Sequence, residues 1–221
     1  MNIFRKEKSP IVNVPKNIMS LVIGRFKENT YIVSNKNECI LIDPGNDAKK
    51  IIDQILKNNL TPVAILLTHG HFDHIGGVNE ILEKWDLTIY GGKNSNAFCN
   101  NPQYHYGSPK ISINKTIHEQ DDNTEIKLIN YRIKFMATPG HTMDSCFIIF
   151  EDLNCIFTGD TLFYHDIGAL RFATNNKEQM RLTLKKIKEL RDSYLIFPGH
   201  NNFSTIGEEK INNPYLIKDL I

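Results

Sequence analysis

The chain has 221 residues, 41% of them hydrophobic, with 26 basic against 25 acidic side chains and a formal net charge of +1. That length and apolar content suffice for one domain with its own core. The balanced charge, mixed along the whole length, gives no electrostatic hold on nucleic acid or on an anionic membrane surface.

Residues 21–23, 29–33 and 38–42 read as strands, the last ending in the turn Asp43-Pro44-Gly45. Residues 47–60 predict an amphipathic helix, with Ile51, Ile52, Ile55 and Leu56 at helical spacing. The wholly apolar run 63–67 predicts a buried strand, and residues 78–85 a second helix after Gly76-Gly77. Residues 91–120, rich in Asn, Gly and Pro, are expected as loop with short helices or as a cover over a site. A second set of strands follows at 125–128, 131–137, 145–150 and 155–157. Residues 177–193 then place Met180, Leu184, Ile187 and Leu190 on one helical face, and 194–197 form a last strand. Two β-rich halves, each followed by helices, predict an α/β fold, a four-layer αββα sandwich, in a single domain over residues 1–221.

The four cysteines, Cys39, Cys99, Cys146 and Cys155, make no C-x-x-C pair and read as reduced core residues. Residues 1–9 are charged and lack the apolar stretch of a secretory signal, and no run is long enough to span a membrane. A cytoplasmic protein acting on a small molecule, with neither nucleic acid nor membrane as partner, is expected.

The run 63–67 delivers the chain into Thr68-His69-Gly70-His71-Phe72-Asp73-His74, where three of the eight histidines fall together. Imidazole and carboxylate suit zinc, and also iron or manganese. Four such groups on so short a segment exceed what one cation takes from one turn. Alternating side-chain directions would give His69 and His71 to one metal and Asp73 and His74 to another. Three further segments, Thr138-Pro139-Gly140-His141-Thr142, Phe157-Thr158-Gly159-Asp160-Thr161 and Phe197-Pro198-Gly199-His200, each follow a strand with a metal-compatible residue in a glycine-bearing turn. Asp160, with two oxygens to offer, is the natural bridge. Three histidines then serve one metal, Asp73, His74 and His200 the other, and a water fits between them.

The elements T-H-x-H-x-D-H-x-G-G, T-P-G-H-T, F-T-G-D-T-L-F and P-G-H resemble the metallo-β-lactamase superfamily. The segment Ser204-Thr205-Ile206-Gly207-Glu208-Glu209-Lys210 with Asn213-Pro214 is similar to its glyoxalase II-like, or hydroxyacylglutathione hydrolase-like, branch. The resemblance covers residues 19–216 and implies a first metal on His69, His71 and His141 and a second on Asp73, His74 and His200. Two departures bear on the carrier. Glyoxalase II proteins have a C-terminal helical domain that grips glutathione, whereas this chain stops soon after Asn213-Pro214. They also have a Gly-basic pair after the G-D-T-L-F element, where Gly168 is here followed by Ala169 and the nearest cation is Arg171.

The expected activity is metal-dependent hydrolysis of a small acyl bond, a thioester foremost, without strong demand for glutathione. Two divalent ions, zinc first, would bring the pKa of water down towards about 7, and the resulting hydroxide would attack the carbonyl. Asp73 and Asp160 are the expected catalytic carboxylates and Arg171 the candidate substrate contact. The rival reading is a mononuclear-iron oxidoreductase resembling the persulfide dioxygenases. A phosphodiesterase ranks below it, since the charge balance is neutral, and a purely structural metal module ranks last. His105, His118 and His165 are expected at the surface or in support, and the Lys185-Lys186-Ile187-Lys188 cluster on a solvated helix face. Asp43 is either support for a ligand histidine or a plain turn residue.

Overall fold

The computed structural model describes residues 13–105, 112–171, 174–218 and 220–221. Six strands in sequence order build the first sheet: β1 (Ile18–Ile23), β2 (Glu28–Asn35), β3 (Glu38–Ile42), β4 (Thr61–Leu67), β5 (Thr88–Gly92) and β6 (Ile117–Gln120). The hairpins β1–β2 and β2–β3 are antiparallel, and β3 to β6 run parallel. The second sheet holds β7 (Glu125–Leu128), β8 (Tyr131–Ala137), β9 (Cys146–Phe150), β10 (Cys155–Gly159), β11 (Leu195–Pro198) and β12 (Ser204–Thr205). Its order is β12-β11-β10-β9-β8-β7, parallel only between β10 and β11.

Continuous apolar runs mark strands covered on both faces, and the two-residue period assigns each side chain to a face. In β3, Cys39 and Leu41 pack outward against α1 (Ala48–Lys57) and α3 (Val78–Lys84), while Ile40 and Ile42 face the second sheet. In β9, Ile148 and Phe150 meet that inter-sheet core, while Phe147 and Ile149 pack against α5 (Lys177–Lys188), α6 (Ile206–Asn212) and α7 (Pro214–Lys218). Helices, sheet, sheet and helices make the four layers the sequence predicts. Two short helices, α2 (Phe72–Ile75) and α4 (Ser95–Cys99), lie along the edge where the metal-compatible residues collect.

Helix α1 is shorter than residues 47–60 because Asp47 caps its start, its side chain accepting from Lys50 N, and Asn59 in left-handed backbone, φ 53°, follows its end. Helix α5 likewise stops at Lys188, although Leu190 still packs against the core it faces. The larger correction falls on residues 91–120. They hold the end of β5, α4, a short 3-10 turn (Pro102–His105) and β6, so the first sheet is two strands wider than expected. These strands are short, and β6 buries only Ile117 fully, which leaves no alternation to read. All four cysteines are buried free thiols. Among the described residues no helix is long and apolar enough to cross a membrane.

The inter-sheet core centres on Phe157, whose ring lies 5.0 Å from Tyr31, 5.5 Å from Phe150 and 5.3 Å from Phe197. Phe157→Ala is expected to cost about 3–5 kcal/mol of folding stability. Chemical denaturation measures it, and a loss under about 1 kcal/mol would mean that this ring cluster is not the clamp between the sheets.

Candidate metal centre

Four strands running the same way end at one edge of the sandwich and hand over to the candidate ligands. β4 leads to His69, His71, Asp73 and His74; β8 to His141; β10 to Asp160; β11 to His200. The segment after β4 is extended at His71 and then turns into α2, which carries Asp73 and His74. That change of backbone, rather than simple alternation, separates the two pairs of side chains.

The seven side chains the sequence singles out converge as two groups. His69, His71 and His141 form one, and Asp73, His74 and His200 the other, the ligand atoms within each lying within 4.8 Å of one another. In the first, His71 Nδ1 stands 3.1 Å from His69 Nε2 and 2.9 Å from His141 Nε2. In the second, His200 Nε2 is 3.4 Å from Asp73 Oδ2. Asp160 lies between the groups, with Oδ1 3.3 Å from His74 Nε2 and Oδ2 3.6 Å from both His141 Nε2 and His200 Nε2.

Hydrogen bonds behind the rings fix which nitrogen faces the centre. The Ala169 carbonyl can only accept, so His141 Nδ1, 3.2 Å away, carries the proton and Nε2 keeps its lone pair. Asp43 does the same for two further rings. Its Oδ2 accepts from Thr68 Oγ1 at 2.5 Å, and that hydroxyl accepts in turn from His69 Nδ1 at 3.2 Å. The same Oδ2 accepts from His74 Nδ1 at 3.0 Å, while Oδ1 accepts from Thr68 N at 2.7 Å. Asp43 is therefore a supporting residue for one ring of each group, and not merely part of a turn. Glu28, which the sequence reading missed, adds a second buried carboxyl 4.0 Å from His74 Nδ1. Burial pushes its pKa well above the ordinary carboxylate range.

The electrostatics fit a pair of cations. Burial holds the His71 imidazole down to about 3, and lowers His69 and His141 as well, so the first group offers neutral rings. In the second group burial opposes charge on His74 and His200, yet Asp160 and Asp73 outweigh it and raise both. Those rings in turn keep the two carboxylates ionised against the same burial, Asp160 most strongly. A site that draws protons onto buried imidazoles is one whose field favours positive charge. His74 Nε2 and Asp160 Oδ1 are moreover buried without a hydrogen-bond partner, as ligand atoms awaiting a metal would be. Gly199 lets the backbone close over them, since a Cβ there would stand 2.4 Å from Asp160 Oδ1.

The centre opens into a cavity of about 460 Å³ lined by Phe26, Phe72, Phe163, Ala169 and Arg171 besides five of the seven candidate ligands. Arg171 thus lines the cavity beside five of the candidate ligands. His165 Nε2 pairs with Glu208 Oε1 at 3.0 Å, and His118 packs its ring 5.7 Å from Tyr90. Neither belongs to either histidine group. The side chain of His105 lies outside the described residues. Lys185, Lys186 and Lys188 are exposed, as expected of a solvated face.

Asp144 is a further group that the sequence reading passed over. It is buried beside the Thr142 and Ser95 hydroxyls, and a Cβ on Gly70 would stand 3.2 Å from its Oδ2. Burial pushes the carboxyl up to about 7, against the pull of the Thr142 and Ser95 hydroxyls.

Two predictions follow from these supports. Asp43→Asn keeps the shape but removes a shared anchor, and is expected to weaken both metals together, by about 10–100-fold. Metal titration reads this, and weakening confined to one of two sites would break the assignment. For Asp144, the unfolded chain gives up its proton near the ordinary value of 3.8 and the folded chain near 7. Between those values the folded state binds more protons, so stability falls as pH rises through this window and levels off above it. Asp144→Asn is expected to flatten that slope, gaining up to about 3–4 kcal/mol over wild type at pH 8 and little at pH 4. Denaturation midpoints across pH, equal in slope for both proteins, would contradict it.

Three comparisons agree with this geometry. Residues 23–200 match the pattern of the Metallo-beta-lactamase superfamily. The chain is 30% identical over 207 residues to Hydroxyacylglutathione hydrolase GloC of Haemophilus influenzae, covering 90% of this chain and 98% of that one. Its fold is similar to the crystal structure of BLEG-1 B3 metallo-beta-lactamase, with TM-score 0.84 and 27% identity over 90% of this chain and 99% of that one. It is also similar to TTHA1623 in a di-iron-bound form, with TM-score 0.79 and 26% identity over 89% and 99%. With its four-layer fold, its two histidine-carboxylate groups and a pattern match spanning most of its length, the chain belongs to the metallo-β-lactamase superfamily.

Proposed function

We propose that this chain is a metal-dependent hydrolase of a small-molecule acyl bond, a thioester foremost, working with two divalent ions, zinc before iron or manganese. The observation that carries the reading is Asp160, whose two oxygens stand between a three-histidine group and an Asp-His-His group. His69, His71 and His141 would hold one ion, Asp73, His74 and His200 the other, with Asp160 shared. When bound, such ions supply Lewis-acid activation of water and of the acyl carbonyl at neutral pH.

The chain's own groups do the rest. Asp43, through Thr68 and directly, keeps the ring nitrogens of His69 and His74 aimed inward. Asp73, partly open to the cavity beside His200, takes the proton released by the attacking water. Arg171, on the far wall, meets an anionic group of the thiol carrier. Ala169 holds His141 through its carbonyl and offers no cation of its own, so glutathione is one usable carrier among several. GloC supports the thioester by its printed name, and the di-iron form of TTHA1623 supports the count of two. A single-iron oxidoreductase would leave the Asp73-His74-His200 group without a purpose.

Two metals per chain are expected in wild type, falling to one in His200→Ala. Asp160→Ala is expected to abolish thioester hydrolysis, by at least about 10³-fold, and to weaken metal binding, because two cations lose their shared anion. His118→Ala should do neither. Metal content by elemental analysis and turnover on S-lactoylglutathione and a truncated thioester measure both. One metal at saturation in wild type, or normal turnover with normal metal in Asp160→Ala, would overturn the bridge.

A further inference from the structure

The last ladder pair of the β1–β2 hairpin is Ile23 with Glu28, which leaves Gly24, Arg25, Phe26 and Lys27 as its loop. Gly24 and Lys27 take left-handed backbone, φ 64° and 56°, and Lys27 N donates to Gly24 O at 3.3 Å. This tight turn presents Phe26 at its tip. The ring is 54% exposed, although it meets Phe72 edge-on at 5.2 Å and 77°. Phe72 itself stands between His71 and Asp73 in the chain. A third ring, Phe163, lies 6.0 Å from His200.

These three rings and Ala169 make up the cavity wall beyond the candidate ligands, with Arg171 its one other polar residue among those described. Among the described residues that line the cavity, none carries a hydroxyl or amide side chain to greet a polar substituent on the acyl group. A substrate with its carbonyl among the ligands must send one arm along the phenylalanines and the other past Ala169 and Arg171. Phe163, Ala169 and Arg171 also line a neighbouring cavity of about 490 Å³, which adds Lys177 and Asp166 among mainly apolar residues. Phe26 and Phe72 line the first of these cavities and not the second, so the arm that meets them meets apolar rings, while the other passes the Arg171 cation.

We propose that the acyl arm is apolar, a short alkyl or aromatic acyl group rather than a 2-hydroxyacyl group, and that Phe26 is the residue that sets this preference. The proposal rests on the acyl-hydrolase reading and narrows its substrate class. Covering an exposed ring with an acyl chain removes apolar surface from both, so affinity grows with chain length. A hydroxyl at carbon 2 would enter the same wall without a partner and lose its hydrogen bonds to water.

The test uses the full-length metal-loaded protein and thioesters of one carrier, N-acetylcysteamine, with acetyl, butanoyl, hexanoyl, phenylacetyl and lactoyl groups. From acetyl to butanoyl, kcat/KM is expected to rise roughly threefold per methylene. Lactoyl should fall at least about tenfold below butanoyl. Phe26→Ser should compress the hexanoyl-to-acetyl ratio about tenfold, whereas Phe26→Leu, still apolar, should restore most of it. Calorimetry with the product carboxylates gives a second readout, hexanoate binding more tightly than acetate in wild type and not in Phe26→Ser. Thioesters turned over at one rate along the series, a preference for lactoyl, or a gradient untouched in Phe26→Ser would each overturn the proposal while leaving the hydrolase reading standing. Turnover of none of them would remove both.

Discussion

The whole centre depends on one buried carboxylate that does not line the site's own cavity. Asp43 sits at the end of β3 in left-handed backbone, φ 46°, where Asp is among the few residues that tolerate it. From there a single oxygen receives the Thr68 hydroxyl and the His74 ring. Through Thr68 it also sets the proton on His69. A histidine offers a metal only the nitrogen that is not protonated, so an unanchored ring would present the wrong one about as readily. One side chain thus determines the donor face of a ring in each half, and the two rings lie with centroids 4.1 Å apart, tilted by 55°. The halves are mechanically one object.

That arrangement explains why the sheets must run as they do. β3 and β4 are parallel, as are β10 and β11, and β8 runs in the same sense as β10 because two antiparallel pairings separate them. All five strands therefore end at the same edge. The inter-sheet core of Phe157, Tyr31 and Phe197 then holds the two edges at a fixed spacing. Tyr31 joins the sheets by a polar route as well, donating its hydroxyl to the Pro198 carbonyl just before His200. Local stiffness at the ligands comes from the meeting of the two sheets, not from the loops.

The sequence made the ligand set readable because each member follows an apolar strand within a glycine-bearing turn, and glycine marks where backbone must pass close to other atoms. Gly199 beside Asp160 is such a place. The fold class was readable for a related reason: strands buried on both faces leave long apolar runs in β4 and β9. The supporting groups were harder to see. Glu28 opens an ordinary-looking strand, and Asp144 follows Met143 in what reads as a polar turn. Only the tertiary fold removes both from water. β6 stayed hidden because an edge strand such as Ile117-His118-Glu119-Gln120 buries too few side chains to impose a period, and β5 because it is only five residues long and ends in Gly91-Gly92. Phe26 lies in a turn whose reach towards α2 is set by the hairpin's position on the sheet, which no local pattern encodes.

The same physics separates the parts of the site by what they can discriminate. On the proposed reading, the six imidazoles and carboxylates around Asp160 would act on a carbonyl and the water beside it, atoms common to every acyl compound. Nothing in that set distinguishes one substrate from another. Discrimination falls to the walls, and the walls come from segments outside the strand-end turns: the β1–β2 loop with Phe26 and the stretch from Phe163 to Arg171. Such segments carry none of the candidate ligands, although the second is tied to the centre by the Ala169 carbonyl on His141. The candidate ligands therefore sit at the strand ends, and on the proposed reading the choice of substrate rests with two short connections between them.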